Sequence, residues 1–111
     1  DQVAELCQAN AGPCDVDCEE FAHQPPMSFD EGIVTAVEKA AAGRNLPYQR
    51  IYSSAGHDAR HAAKLCPAGM IFIPCWRGLS HNEAEEISPE WAEAGANVLF
   101  HAVVETAEIV E

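Results

Sequence analysis

The run Met70-Ile71-Phe72-Ile73 is wholly apolar, with two β-branched residues and a phenylalanine. That composition suits a strand buried on both faces of a helix-covered sheet. Pro74 ends the run, since proline has no N–H to give a ladder, and residues 75–80 form a loop rich in turn residues. The loop delivers His81, followed at once by Asn82, Glu83, Glu85 and Glu86. A position just beyond the carboxyl end of a buried strand is where open α/β sheets collect their ligands. A neutral imidazole there, with carboxylates and an amide to orient it, can ligate a transition metal. Position alone favours the plainer alternative, a surface-loop histidine beside a solvated acidic run.

A chain of 111 residues holds one domain or part of one. Its 48% hydrophobic content is enough for a core, but a chain this short hides only about two-thirds of its unfolded surface. Eighteen acidic against six basic residues leave a formal net charge of −12. So negative a balance argues against nucleic acid or an anionic membrane as partner. No apolar run approaches the ~20 residues of a membrane span, and no signal-peptide core is visible. The sequence opens on Asp1 rather than methionine, which we read as a trimmed product or a piece of something longer.

Five cysteines, Cys7, Cys14, Cys18, Cys66 and Cys75, form an odd set without a compact framework. That fits a reducing, cytoplasmic setting. Cys14 and Cys18 fall in a stretch that reads as a strand, so their Cα atoms would stand about 13 Å apart, too far for a disulfide or a shared ion. They read instead as small buried hydrophobes.

Along the chain, Val3, Leu6 and Cys7 have the spacing of a helix face, and Asn10-Ala11-Gly12-Pro13 stops that helix. Residues 14–19 alternate apolar with acidic, the pattern of a strand with one wet face. Gln24-Pro25-Pro26 is the candidate boundary, stiff and hostile to ladders and helices alike. Beyond it, Ser28 with Glu31 offers a capping-box start. Ile33, Val34, Val37, Ala40 and Ala41 give the next helix an apolar stripe, with Glu31, Thr35, Glu38 and Lys39 outside. Residues 42–45 close it, and residues 49–52 are a short strand candidate. Ser88 and Pro89 open the last helix as cap and first position. Trp91, Gly95, Val98, Leu99, Ala102, Val103, Thr106 and Ile109 share one face; Glu93, Asn97, His101, Glu105 and Glu108 share the other, which leaves His101 idle in water.

The second candidate site is Ser53-Ser54-Ala55-Gly56, four small residues leading into His57-Asp58-Ala59-Arg60-His61. Small residues between a strand and a helix let a ligand approach the backbone, and the free N–H groups of a helix start attract an anion. The alternative is a tight turn capped by Asp58. His57 and His61 are four apart at a helix start, so with His81 they could form a three-nitrogen zinc site within the chain. Equally, no histidine need bind anything.

Residues 78–85, reading GLSHNEAE, resemble the GISHNPAE signature of the hydantoinase/carbamoylase branch of the zinc-dependent amidohydrolases. That branch holds N-carbamoyl-L-amino acid amidohydrolases, β-ureidopropionases, allantoate amidohydrolases and ureidoglycolate amidohydrolases. Residues 55–59, AGHDA, are similar to the same family's GAGHDA segment, and both blocks stand in the family's order and spacing. The resemblance implies an α/β fold, a helix-covered mixed sheet, as the C-terminal portion of a di-metal exopeptidase-like catalytic domain. On that mapping residues 1–24 are the last helix and strand of an inserted lid (dimerisation-type) domain, and residues 25–111 belong to the catalytic domain.

It also implies chemistry. Members of the branch hold two divalent ions, zinc or manganese, with a bridging water activated by a glutamate base. By motif, His81 is a terminal ligand of one ion, Gly56 and His57 help hold the substrate's carboxylate or carbonyl, and Asp58 orients its neighbours. Ser54 replaces a glycine of the pattern and Glu83 a proline, and neither change removes a liganding atom. Trp76 and Arg77 make a variable loop bulkier and more polar. The family's His-x-Asp ligands, its Glu-Glu pair and a further ligand belong to an N-terminal half absent here; Glu19-Glu20 and Glu85-Glu86 stand in the wrong contexts.

The expected parent is a cytoplasmic hydrolase of the carbamoyl C–N bond in N-carbamoyl-L-amino acids or related ureido acids. The isolated chain, with one imidazole, is expected to hydrolyse nothing and need hold no metal. Its expected partners are the small ureido substrate, the N-terminal half and a second copy of itself, attracted by an open sheet edge. Two other readings stand beside this one. One is a non-catalytic binding or assembly module with relic motifs; the other is a small zinc protein using His57, His61 and His81.

Overall fold

Asp30 starts the first long helix of the molecule. In the computed structural model, which describes residues 2–107, its carboxylate Oδ1 accepts the Ile33 N–H at 3.0 Å, and its own N–H donates to Ala68 O at 3.0 Å. Asp30 therefore caps helix α2 (Glu31–Gly43) and ties it to the approach to residues 70–73. The capping box expected from Ser28 does not form: the cap lies two residues later, and Glu31 is drawn to Arg50 instead. Asn45 closes α2 in the left-handed region (φ 57°), with the Leu46 N–H folded back onto Ala41 O at 3.1 Å. Asparagine tolerates that conformation better than most non-glycine residues.

Besides α2, the described residues contain α1 (Gln2–Ala9), a short α3 (Ala59–Ala62), a 3-10 turn (Trp76–Gly78) and α4 (Pro89–Thr106). Ser88 Oγ accepts the Trp91 N–H at 3.2 Å and Pro89 fills the first turn, as the sequence predicts. Glu108 and Ile109, assigned by pattern to opposite faces of this helix, lie outside the described residues. α2 packs on α4 through a seam of small side chains: Ala36, Ala40 and Ala41 from one, Val98 and Ala102 from the other, all buried. Val37, Leu46 and Ile71 close over its edge.

Residues 70–73 thread along this helical pair. Ile71 and Ile73 point at the helices, and Phe72 points the other way, 45% exposed. That alternation is strand-like. Two glycines permit the approach: a Cβ at Gly69 would stand 2.7 Å from Ile33 Cγ2, and one at Gly95 would collide with Ile73 Cγ2.

No strand forms among the described residues. Residues 14–19, 49–52 and 70–73, each expected to be strands, are irregular. The physical reason is pairing: among the described residues no backbone hydrogen bond joins residues 70–73 to another segment, and strand identity depends on a ladder, not on side-chain pattern alone. Burial on both faces also fails for residues 70–73, since Phe72 is open to solvent. Cys14 and Cys18, read as buried hydrophobes, are exposed, and all five thiols are free.

The shape follows. The radius of gyration is 19.6 Å, against about 13 Å for a compact domain of this length. The accessible surface is 9366 Å², against roughly 6,000 Å² for a folded monomer of this mass. One helical layer with a strand-like rail on one side leaves much of its apolar surface uncovered. No helix among the described residues is long and apolar enough to cross a membrane.

One polar feature fixes residues 46–53 to the helical layer. Arg50 forks onto two carboxylates about two turns apart on α2. Nη1 and Nη2 reach Glu31 at 2.9 and 2.6 Å, while Nε and Nη2 reach Glu38 at 2.8 and 2.9 Å. These bonds hold both carboxyl groups below the usual glutamate range and the guanidinium above its own. With folded-state values depressed, the stabilisation is present above the ordinary value of 4.5 and fades as pH falls through the lowered ones. Arg50→Ala should therefore lower the urea midpoint at pH 7 and lower it by less at pH 3. Equal differences at the two pH values would show that the fork contributes nothing through charge.

Candidate functional site

Two loops carry the residues that the sequence marks. The first runs from Cys75 to Glu86. Its ends are joined by the Trp76 N–H donating to Glu86 O at 2.7 Å. Within it Arg77 (φ 57°), Gly78 (φ 68°) and His81 (φ 55°) all occupy the left-handed region. Only glycine does so without strain, so two side chains are held in a conformation about 1 kcal/mol or more above their relaxed state.

At His81 the surroundings supply the restraint. The His81 N–H donates to Glu85 Oε2 at 3.1 Å. Asn82 Oδ1 accepts the Ala84 N–H at 2.9 Å, and Asn82 O accepts the Glu85 N–H at 2.9 Å. The loop uses its acidic and amide groups to fix the backbone at His81, while the imidazole itself has no hydrogen-bond partner among the described residues. An exposed ring on a clamped backbone can be offered to something outside this segment.

The second loop is residues 53–58. His57 is half-buried; its Nε2 lies 2.8 Å from Ser53 Oγ, and its ring meets Phe72 edge-on, centroids 5.4 Å apart at 68°. Phe72 thus links the two halves of the candidate site, since it belongs to the rail that feeds the His81 loop. Gly56 faces Gln24, and Arg60 Nη2 donates to Pro25 O at 2.6 Å. The proline-rich boundary is docked on the His57 turn, not free.

Three expectations fail here. α3 begins at Ala59, so His57 precedes the helix and does not share a face with His61. Asp58 sits at the cap with no side-chain bond; its carbonyl instead accepts the N–H groups of His61 and Ala62, and His57 O accepts that of Arg60. Donors engaged in this way are not presented to an anion. Among the described residues no three His, Cys, Asp or Glu side chains are grouped to hold a metal ion. The His57/His61/His81 trio is not assembled, and a two-ion centre does not fit these residues alone.

Ser53, Phe72 and Glu85 carry the geometry of the two loops; the sequence named Ser53 among four small residues and Glu85 among the carboxylates beside His81, but not the contacts they make. The serine four residues before His57 was a legible signal; the Phe72 ring contact and the bond of Glu85 to the His81 backbone were not, since they depend on which way a strand-like rail and a loop turn. His101, read as idle, pairs with Arg44, Nε2 to Nη1 at 3.2 Å.

A helical pair covers one side of a strand-like rail that ends in a histidine loop. The family model described as Peptidase family M20/M25/M40 matches residues 3–105, and the chain belongs to that family. Its resemblance to the hydantoinase/carbamoylase branch holds. It is 49% identical over 110 residues to an N-carbamoyl-L-amino-acid amidohydrolase of Rhizobium meliloti, a match spanning 99% of this chain and 26% of that protein. A ureidoglycolate hydrolase of Oryza sativa subsp. japonica is 44% identical over 79 residues, 71% of this chain and 16% of that one. The crystal structure of an amidase of the hydantoinase/carbamoylase family from Burkholderia multivorans superposes with a TM-score of 0.82 at 44% identity, covering 98% of this chain and 26% of that chain. The fold is therefore M20 peptidase-like. The chain spans about a quarter of the length of the first of these relatives.

Proposed function

We propose that this chain is the C-terminal portion of a metal-dependent amidohydrolase that cleaves the carbamoyl C–N bond of N-carbamoyl-L-amino acids or closely related ureido acids. The observation that carries the reading is His81: a motif histidine whose backbone is clamped in the left-handed region by Glu85 while its imidazole stays unengaged among the described residues. On this reading His81 ligates one of two divalent ions, zinc or manganese, whose remaining ligands lie outside these residues. Gly56 and His57 form the wall that meets the substrate's carboxylate or carbonyl.

The rest of the reading follows from the same mapping. Residues 1–24 are the end of a lid domain and residues 25–111 part of the catalytic domain, with residues 70–73 gaining ladder partners there. The open face of Phe72 and the large apolar surface support this, because both need a cover. The compartment is cytoplasmic, in keeping with five free thiols. Alone, the chain is inactive and self-associates.

The test is reconstitution. The chain should show no hydrolysis of N-carbamoyl-L-amino acids by itself, with zinc or manganese added. Joined to the N-terminal three-quarters of the Rhizobium meliloti relative, it should restore turnover. A folded, metal-loaded chimera that hydrolyses no N-carbamoyl or ureido acid would sink the reading in favour of a relic binding module.

A further inference from the structure

Resting on the reading of Gly56 and His57 as substrate wall, we infer that Ser53 is a positioning residue that turns the Nδ1 edge of His57, as an N–H donor, toward the substrate. The two nitrogens of a neutral imidazole are not equivalent: one donates and the other accepts, and a partner on one dictates what the other does. Here Nε2 is taken, 2.8 Å from Ser53 Oγ. Nδ1 has no hydrogen-bond partner among the described residues. The Phe72 ring, edge-on at 5.4 Å, sets the tilt of the imidazole, so neither nitrogen can swing freely into the other's place.

The direction of the bond follows from the ligand. A ureido acid presents its carboxylate and carbonyl oxygens as acceptors, so the nitrogen facing it must carry the proton. Ser53 then donates its O–H to Nε2, which is unprotonated, and Nδ1–H is left to donate. A serine can take either role because its hydroxyl both donates and accepts. The imidazole alone would populate both tautomers in water, and the bound acceptor on one edge with Ser53 on the other selects one.

Substitutions that mimic one nitrogen at a time separate the two edges. In the complete polypeptide that carries this sequence, asparagine at 57 places an amide near the Nδ1 position, and glutamine places one near Nε2. His57→Asn should keep KM for an N-carbamoyl-L-amino acid within about threefold, whereas His57→Gln should raise it about tenfold or more. Ser53→Ala should raise KM several-fold with kcat little changed, and Ser53→Thr, which restores the hydroxyl, should return it. The direct readout is long-range ¹H–¹⁵N NMR of the His57 ring in the complete, substrate-loaded polypeptide, expected to show the Nδ1–H tautomer and to show mixed tautomers in Ser53→Ala.

Glutamine outperforming asparagine, or an Nε2–H tautomer in the unaltered substrate complex, overturns the assignment. If His57→Ala leaves KM untouched, the substrate-wall reading itself falls. If His57→Ala raises KM while Ser53→Ala changes neither KM nor tautomer, only the role of Ser53 falls.

Discussion

His81→Ala in the complete enzyme is expected to lower kcat/KM by about 10³-fold or more and to release one metal ion per active site. The size follows from position. Groups that merely orient a metal ligand cost about 10–100-fold when removed, so a residue that is itself a ligand, the role proposed for His81, must cost more. The structural basis is that no group of three His, Cys, Asp or Glu side chains forms among the described residues, so no second set of ligands stands ready to replace it. Two further substitutions set the scale. Glu85→Ala removes the acceptor for the His81 N–H at 3.1 Å, lets the left-handed turn relax, and should cost on the order of tenfold. Glu85→Gln keeps an acceptor oxygen and should cost less. The measurements are kcat/KM and metal content per chain by inductively coupled plasma mass spectrometry. An alanine variant with full metal content and activity within tenfold of the parent would remove His81 from the centre, and with it the motif-based mapping of this chain.

The sequence was most legible where a local rule is enough. Ser88 and Pro89 mark a helix start because capping is decided within one turn, and the structure starts α4 there. The apolar stripe of α2 likewise predicts its buried side, Ala40 and Ala41 included. Legibility ended where a partner decides the outcome. Residues 70–73 carry every side-chain mark of a strand, but a strand is completed by hydrogen bonds from a neighbour, and none reaches them here. Pattern placed Glu31 and Glu38 on the solvent side of α2 without showing that Arg50, nineteen and twelve residues away, gathers both.

The site shows the same division. His81 and His57 are marked by motif, and their proposed roles as ligand and substrate wall rest on residue type. What aims them is not so marked: Glu85 bonds a backbone N–H and Phe72 offers a ring edge, interactions open to almost any loop acid or core aromatic. Capping at Asp58 failed for a related reason. The turn satisfies its own N–H groups through the His57 and Asp58 carbonyls, leaving the carboxylate nothing to cap.

Gly95→Ala is the substitution with the largest expected effect on stability, and two opposing terms fix its sign. Removing a glycine from the interior of an exposed helix gains up to about 1 kcal/mol. Against that, the new Cβ would overlap Ile73 Cγ2. This methyl is attached to a β-branched carbon, so it has little freedom to swing aside. Overpacking of this kind costs about 1–3 kcal/mol, and the clash should win by about 1–2 kcal/mol, a sizeable share of the modest stability of so small a unit. Because Ile73 sits on the rail that leads to Pro74 and the His81 loop, the strain should be felt there too, as faster amide exchange around residues 75–86. Urea midpoints at fixed chain concentration measure the first effect. A double-mutant cycle isolates its cause: Ile73→Ala should cost at least about 1 kcal/mol less when combined with Gly95→Ala than when made in the parent. An additive cycle, or a Gly95→Ala variant more stable than the parent, would mean that the rail does not press against α4 as closely as the geometry requires.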